Sequence, residues 1–138
     1  MLSKRTILLG LGFAFALLAL TSPMPTAAQL PVACLCQIGC NSITGTAFPD
    51  VLTGTAGCDC ISGGGGDDTI DGAGGNDFIC GGDGNDVLDG GTGDDRIYAN
   101  DGDDILDGGS NDDYLDGGAG SDRCSGGTGT NTLTNCNP

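Results

Sequence analysis

Aspartate recurs at every ninth residue through most of this chain: Asp50, Asp59, Asp68, Asp77, Asp86, Asp95, Asp104, Asp113 and Asp122, with Asn131 at the next step. Such a column offers one kind of chemistry, a regular supply of hard oxygen donors. The sequence has little else to work with. Its 19 acidic residues are all Asp, and it has no His, Glu or Trp. Without histidine, neither a Ser-His nor a Cys-His nucleophile pair can form. Evenly spaced carboxylates point instead to a hard cation, which takes about six to eight oxygens.

A second column runs two residues behind the first: Leu52, Ile61, Ile70, Ile79, Leu88, Ile97, Leu106, Leu115, Cys124 and Leu133. Counted from Gly45, ten nine-residue blocks follow without a gap to Thr134. Aspartate holds position six and an apolar residue position eight. Two columns of opposite character kept in phase for so long exclude a low-complexity linker and mark an internal repeat. Positions seven to nine predict a three-residue strand whose middle side chain faces a core, because strand side chains alternate. Positions one to six predict a glycine-rich turn, where positive φ and close backbone approach are needed. Stacked turns make a solenoid with a thin Leu/Ile ladder inside. That ladder is weak: each buried side chain contributes about 1.5–3 kcal/mol, while ordering each residue costs roughly 1–2 kcal/mol in backbone entropy. Stacking also brings like-charged aspartates together, so the coil is not expected to close unaided.

Blocks such as GGDGNDVLD (81–89) and GGTGDDRIY (90–98) follow the pattern GGxGxDxUx. This resembles the RTX, or haemolysin-type, calcium-binding nonapeptide repeat, over residues 45–134. The resemblance implies an all-β, right-handed parallel β-roll of about ten nonapeptide half-turns, two blocks to a coil. It further implies Ca²⁺ held between the turns of blocks n and n+2. The ligands carried over are the side chains of Asp50, Asp59, Asp68, Asp77, Asp86, Asp95, Asp104, Asp113 and Asp122. Turn carbonyls join them, around Gly63, Gly65, Gly72, Gly74, Gly81, Gly90 and Gly117. Ten blocks allow at most eight stacked pairs, hence about five to eight ions. Phe48-Pro49 in the first block, Ala99-Asn100 and Asn111 in blocks seven and eight, and Asn131 in the last depart from the pattern. The best sites are expected in the middle. An EF-hand is excluded, since its loop needs a Glu.

The bulk properties agree. Residues 1–28 read as an export signal: Lys4 and Arg5, an apolar run from Ile7 to Leu20, then Thr26-Ala27-Ala28 before a cut at Gln29. The run is too short for a membrane helix, which needs about 20 residues. The remaining chain keeps every Asp and only Arg96 and Arg123, for a formal charge of −17. Eight Ca²⁺ would bring this close to neutrality. Nucleic acid is excluded as a partner by charge, and the expected location is extracellular, with periplasm or cell surface as variants. Leu, Ile, Val and Phe make up only about 17% of the cleaved chain, a composition that by itself reads as disordered.

All eight cysteines follow the leader: Cys34, Cys36, Cys40, Cys58, Cys60, Cys80, Cys124 and Cys136. An even count in an exported chain predicts disulfides, clustered where a solenoid frays. Residues 29–44 are expected as a disulfide-rich N-terminal cap and 135–138 as a short tail. Cys124–Cys136 is the preferred pair, and the first three cysteines are expected to pair with Cys58, Cys60 and Cys80. Cys34, Cys36 and Cys40 also have the spacing of a zinc site. RTX proteins are typically cysteine-poor and leave by a C-terminal signal, so this chain departs from them in both respects.

The expected function is a calcium-folded structural or interaction module, not an enzyme. Its protein, glycan or mineral partner is not specified by the sequence. Alternatives are an appendage of an RTX hydrolase or toxin, and an acidic mineral- or surface-layer-binding protein. The latter would use Asp71, Asp89 and Asp107, which fall at position nine of blocks on one sheet. An ice-binding face is disfavoured because the outward columns are chemically mixed.

Overall fold

The computed structural model describes residues 39–137. The leader, Cys34 and Cys36 lie outside this range. Eleven short strands alternate between two parallel sheets. One contains β1 (Asn41–Thr44), β3 (Asp59–Gly65), β5 (Phe78–Asp83), β7 (Arg96–Asp101), β9 (Tyr114–Asp116) and β11 (Thr132–Thr134), in that order. The other contains β2 (Val51–Thr53), β4 (Thr69–Asp71), β6 (Val87–Asp89), β8 (Ile105–Asp107) and β10 (Arg123–Ser125). Every partner lies 18 residues away, as in Ile61↔Ile79 and Leu88↔Leu106. Two blocks therefore make one coil, and the chain forms an all-β parallel solenoid of about five turns.

The position-eight side chains meet between the sheets. Ile61, Ile70, Ile79, Leu88, Ile97, Leu106 and Leu115 are at most 2% exposed, and Ile43, Leu52 and Cys124 pack against them at the ends. Positions seven and nine face outward and are exposed or half-buried, apart from the buried Cys60 and Cys80, so the apolar ladder is one side chain thick per strand. Outward from the first sheet, Phe78, Tyr98 and Tyr114 form a ring stack with centroids 5.3 and 5.5 Å apart. Outward from the second, Asp71, Asp89 and Asp107 stand in register, the row expected from their shared position.

Strand pairing extends upstream of Gly45 to Asn41. Strand β1 lies in the region assigned to the cap and pairs with β3 in the common register. Counted back in the same phase, Asn41 and Ile43 fall at positions six and eight. Two disulfides staple the ends, Cys40–Cys58 and Cys124–Cys136. Cys60 and Cys80 are also disulfide-bonded. Cys40 is thus unavailable as a thiolate, which removes it from the zinc alternative.

A one-side-chain core has no neighbouring layer to absorb a void. Ile97→Ala is expected to cost about 2–5 kcal/mol, whereas Val87→Ala on the outer face should stay within about 0.5 kcal/mol. Denaturant unfolding of both variants in the same buffer measures the contrast.

Candidate metal-binding turns

The position-six aspartates point inward at the corners where turns stack. From Asp59 to Asp122 all eight are at most 3% exposed. One carboxylate oxygen of each is used for construction. Oδ1 of Asp77 accepts the Asp59 N–H at 2.8 Å, Oδ1 of Asp86 accepts that of Asp68 at 2.8 Å, and Oδ1 of Asp104 accepts that of Asp86 at 2.7 Å. The same bond repeats from Asp50–Asp68 through Asp104–Asp122. Each carboxylate thereby ties its turn to the one a coil earlier.

The other oxygen divides the aspartates into two sets. In Asp68, Asp77, Asp86, Asp95, Asp104, Asp113 and Asp122, Oδ2 is buried and has no hydrogen-bond partner. A buried carboxylate oxygen without a donor is costly. In Asp59, Oδ2 accepts from the Thr55 N–H at 2.6 Å and the Thr55 hydroxyl at 2.9 Å, while Oδ1 accepts the Asn41 side-chain amide at 2.9 Å. Oδ2 of Asp50 is held in the same way by Thr46.

The backbone at position two explains the difference. Gly64, Ala73, Gly82, Gly91, Asn100, Gly109, Gly118 and Gly127 all have positive φ. Thr46 and Thr55 do not, as expected of β-branched residues. The non-positive φ leaves their N–H and hydroxyl facing the carboxylate. In the later blocks that donor pair is absent. Asn100 and Asn111 adopt positive φ at 81° and 90°, so both departures from glycine keep the turn geometry.

What faces the orphaned oxygen is a backbone carbonyl. A Cβ on Gly72 would lie 2.7 Å from Asp77 Oδ2 and 2.6 Å from the Gly90 carbonyl oxygen. On Gly90 the same point lies 2.5 Å from Asp95 Oδ2 and 2.8 Å from Gly108 O. Gly63 and Gly81 show the same pair of neighbours, with carbonyls from Gly81 and Ala99. The missing Cβ thus leaves a cradle where a carboxylate and a carbonyl from consecutive coils converge. In block seven Ala99 holds position one, and it is fully buried. At the C-terminal end Asn135 supplies the carbonyl facing Gly117, 2.5 Å from the corresponding point, with Asp122 Oδ2 at 2.7 Å. The segment expected to be a mere tail completes this cradle. It is held by Cys136 and by the Asn137 N–H donating to Asp122 O at 2.7 Å.

No three His, Cys, Asp or Glu side chains converge as a metal cluster among the described residues. The cradles rely on one carboxylate plus main-chain oxygens, a donor set suited to a hard cation and to no soft one. Of the glycines expected to contribute carbonyls, Gly63, Gly72, Gly81 and Gly90 lie at the cradles. Gly65 and Gly74 sit at position three, and a Cβ on Gly65 would meet nothing closer than 3.8 Å.

Five of the unpartnered carboxyls, those of Asp77, Asp86, Asp95, Asp104 and Asp113, are raised. Burial pushes the Asp77 carboxyl up to about 6; the Asp59 N–H opposes this and the Asp59 charge reinforces it. Asp86 rises to about 6 and Asp95 to about 7, again mainly through burial, with neighbouring aspartates adding repulsion. Asp104 and Asp113 are raised for the same reasons. Asp59 goes the other way. Burial pushes it up, but the Thr55 N–H, the Asn41 amide and the Thr55 hydroxyl together hold it below its ordinary 3.8.

Position five was not marked by the repeat pattern, yet it builds a second ladder. Asp67 Oδ1 accepts the Asn85 N–H at 2.9 Å, Asn85 Oδ1 that of Asp103 at 2.8 Å, and Asp103 Oδ1 that of Ser121 at 2.9 Å. Asn76, Asp94 and Asp112 do the same on the other side. The signal was present as a run of Asp, Asn and Ser at that column.

The family model of the RTX calcium-binding nonapeptide repeat (4 copies) matches residues 44–79, 81–115 and 102–133. The chain belongs to the RTX calcium-binding nonapeptide repeat family. The repeats of this family bind Ca²⁺, and its β-roll is a structural rather than a catalytic fold. No curated protein and no solved structure matches the chain. For an RTX roll the orphaned Oδ2 atoms have a physical reason: the donor set is oxygen-rich, charged and incomplete without a cation.

The raised aspartates set a pH dependence for the metal-free roll. A folded-state pKa above the unfolded 3.8 means that protonation favours the fold. That contribution is complete below about pH 4 and is lost as pH rises through about 6–7. Metal-stripped protein should therefore show more β structure at pH 4.5 than at pH 8, with Ca²⁺ restoring it at pH 8. Circular dichroism across this range checks both halves. Equal or greater metal-free order at pH 8 would contradict the assignment of the buried column as the source of instability.

Proposed function

We propose that this chain is an exported RTX module that folds on Ca²⁺ and serves as a structural or interaction element outside the cell. The observation that carries the reading is the set of seven buried, unpartnered Oδ2 atoms, with carbonyls of the next coil close to those of Asp68, Asp77, Asp86, Asp95 and Asp122. When bound, Ca²⁺ supplies the positive charge these oxygens lack. The protein's own part is positional. Oδ1 anchors each carboxylate to the preceding turn, glycine at position one leaves the space, and positive φ at position two keeps protein donors away. Export is supported by residues 1–28 and by the disulfides, which persist in oxidising surroundings.

A fully ionised roll of this composition carries its like charges in stacked columns, so metal removal should expand it. Far-UV circular dichroism of oxidised protein during Ca²⁺ titration, with Mg²⁺ as control, is expected to show a cooperative gain of β structure with Ca²⁺ alone. A full β spectrum unaffected by chelator at pH 8 would overturn metal-coupled folding.

A further inference from the structure

We propose that the first coil of the roll closes without metal, and that the calcium-dependent stretch begins at Asp68. This deepens the reading of the roll as calcium-folded and rests on it. Asp50 and Asp59 belong to the same column as the other aspartates and have the same cradle glycines, Gly45 and Gly54. Their Oδ2 atoms nevertheless have two protein donors each, the N–H and hydroxyl of Thr46 or Thr55. Asp59 also has its Oδ1 satisfied by the Asn41 amide. Asn41 occupies position six of the preceding block, so its neutral amide donates where a further aspartate would repel.

The covalent structure reinforces this unit. Cys40–Cys58 spans 18 residues, one full coil, and closes β1 onto β3. The backbone bond Asn41 N–H to Cys58 O lies within the same loop, and Gly45 N–H to Ser62 O extends the pairing just past it. A coil with satisfied carboxylates, a disulfide and a paired sheet edge presents a ready template for β5. Beyond it, each further turn contains an orphaned Oδ2.

The far end closes by a related device. Asn131 Oδ1 accepts the Asp113 N–H at 2.8 Å, and its Nδ2 donates to the Gly126 carbonyl at 2.6 Å. An amide nitrogen thus satisfies the position-one carbonyl of its own block. The ion-dependent stretch is bounded by Thr46 and Thr55 on one side and Asn131 on the other, with order growing from the first coil toward the C-terminus as Ca²⁺ binds.

Peptide-resolved hydrogen exchange of the full oxidised chain, with and without Ca²⁺ at pH 8, tests this. Segment 41–62 is expected to stay protected in chelator, roughly tenfold or more above segment 77–116, because hydrogen bonds to charged groups hold it. The middle segment should gain protection only with Ca²⁺. If both segments exchange freely in chelator and both are protected by Ca²⁺, the metal-independent coil is refuted while calcium-coupled folding survives. If both stay protected in chelator, calcium-coupled folding itself fails. A second measurement separates the threonine donors from the disulfide. Thr55→Gly, which keeps Cys40–Cys58, is expected to lose the metal-free protection of 41–62 and to bind one more Ca²⁺ per chain by isothermal titration. Unchanged protection and unchanged stoichiometry in T55G would overturn the role of the threonine turn.

Discussion

Everything in this fold depends on a carboxylate that is buried with only half of its hydrogen-bonding capacity used. From Asp59 to Asp122, Oδ1 of each position-six aspartate pins one turn to the turn a coil earlier, in keeping with the 18-residue register. Oδ2 is then carried inward with it, away from water. The same side chain therefore supplies the regularity of the solenoid and its principal cost. Neighbouring coils are about 4.8 Å apart, so successive charges in each column cannot relax away from one another. The hydrophobic ladder between the sheets is one side chain thick and offers limited compensation. A cation facing the column resolves the conflict because it acts on the very oxygens that stacking leaves unpaired.

Position two decides whether that conflict exists at all. With φ positive, the turn presents no donor to Oδ2, and the nearby carbonyl of the next coil can offer none. With threonine and non-positive φ, the turn supplies two donors and Oδ2 is satisfied. One backbone dihedral thus separates turns that call for a metal from turns that do not, on an otherwise unchanged scaffold. The opposite pKa directions of Asp59 and Asp95 express this contrast. Burial pushes both up, but donors from Thr55 and Asn41 win at Asp59, whereas at Asp95 the neighbouring aspartates add repulsion.

Much of this was legible from periodicity. The Asp and Leu/Ile columns located the turns, the strands, the core and the pairing of every second block. The row Asp71, Asp89, Asp107 and the pair Cys124–Cys136 followed from position within the block. Three features were less visible, each for a physical reason. Asn41 and Ile43 continue the phase backward, but the block that holds them lacks the double glycine, so its start was masked by cysteines. Thr46 and Thr55 carry no mark in the repeat pattern, because the rule GGxGxDxUx records which residues permit positive φ and says nothing of what a residue that refuses it will donate. The tail carbonyl of Asn135 belongs to the main chain, which every residue carries, so no side-chain pattern could mark it.

The two side-chain ladders on each turn give the stack its coherence. Position-six Oδ1 accepts from the coil before, whereas position-five Oδ1 accepts from the coil after. Each interior turn is therefore tied in both directions by adjacent residues, one bond buried and one exposed. Such nearest-neighbour coupling makes the solenoid quasi-one-dimensional, with its weak points at the ends, where one direction of tying is lost. The protein places its metal-independent devices there: Asn41, Thr55 and Cys40–Cys58 at one end, Asn131 and Cys124–Cys136 at the other. Because each cradle borrows its carbonyl from the following coil, a site in the last block would lack one, and there Asn131 closes the turn with its own amide; at the first coil the carbonyl is present, and the threonine donors satisfy the carboxylate in place of an ion.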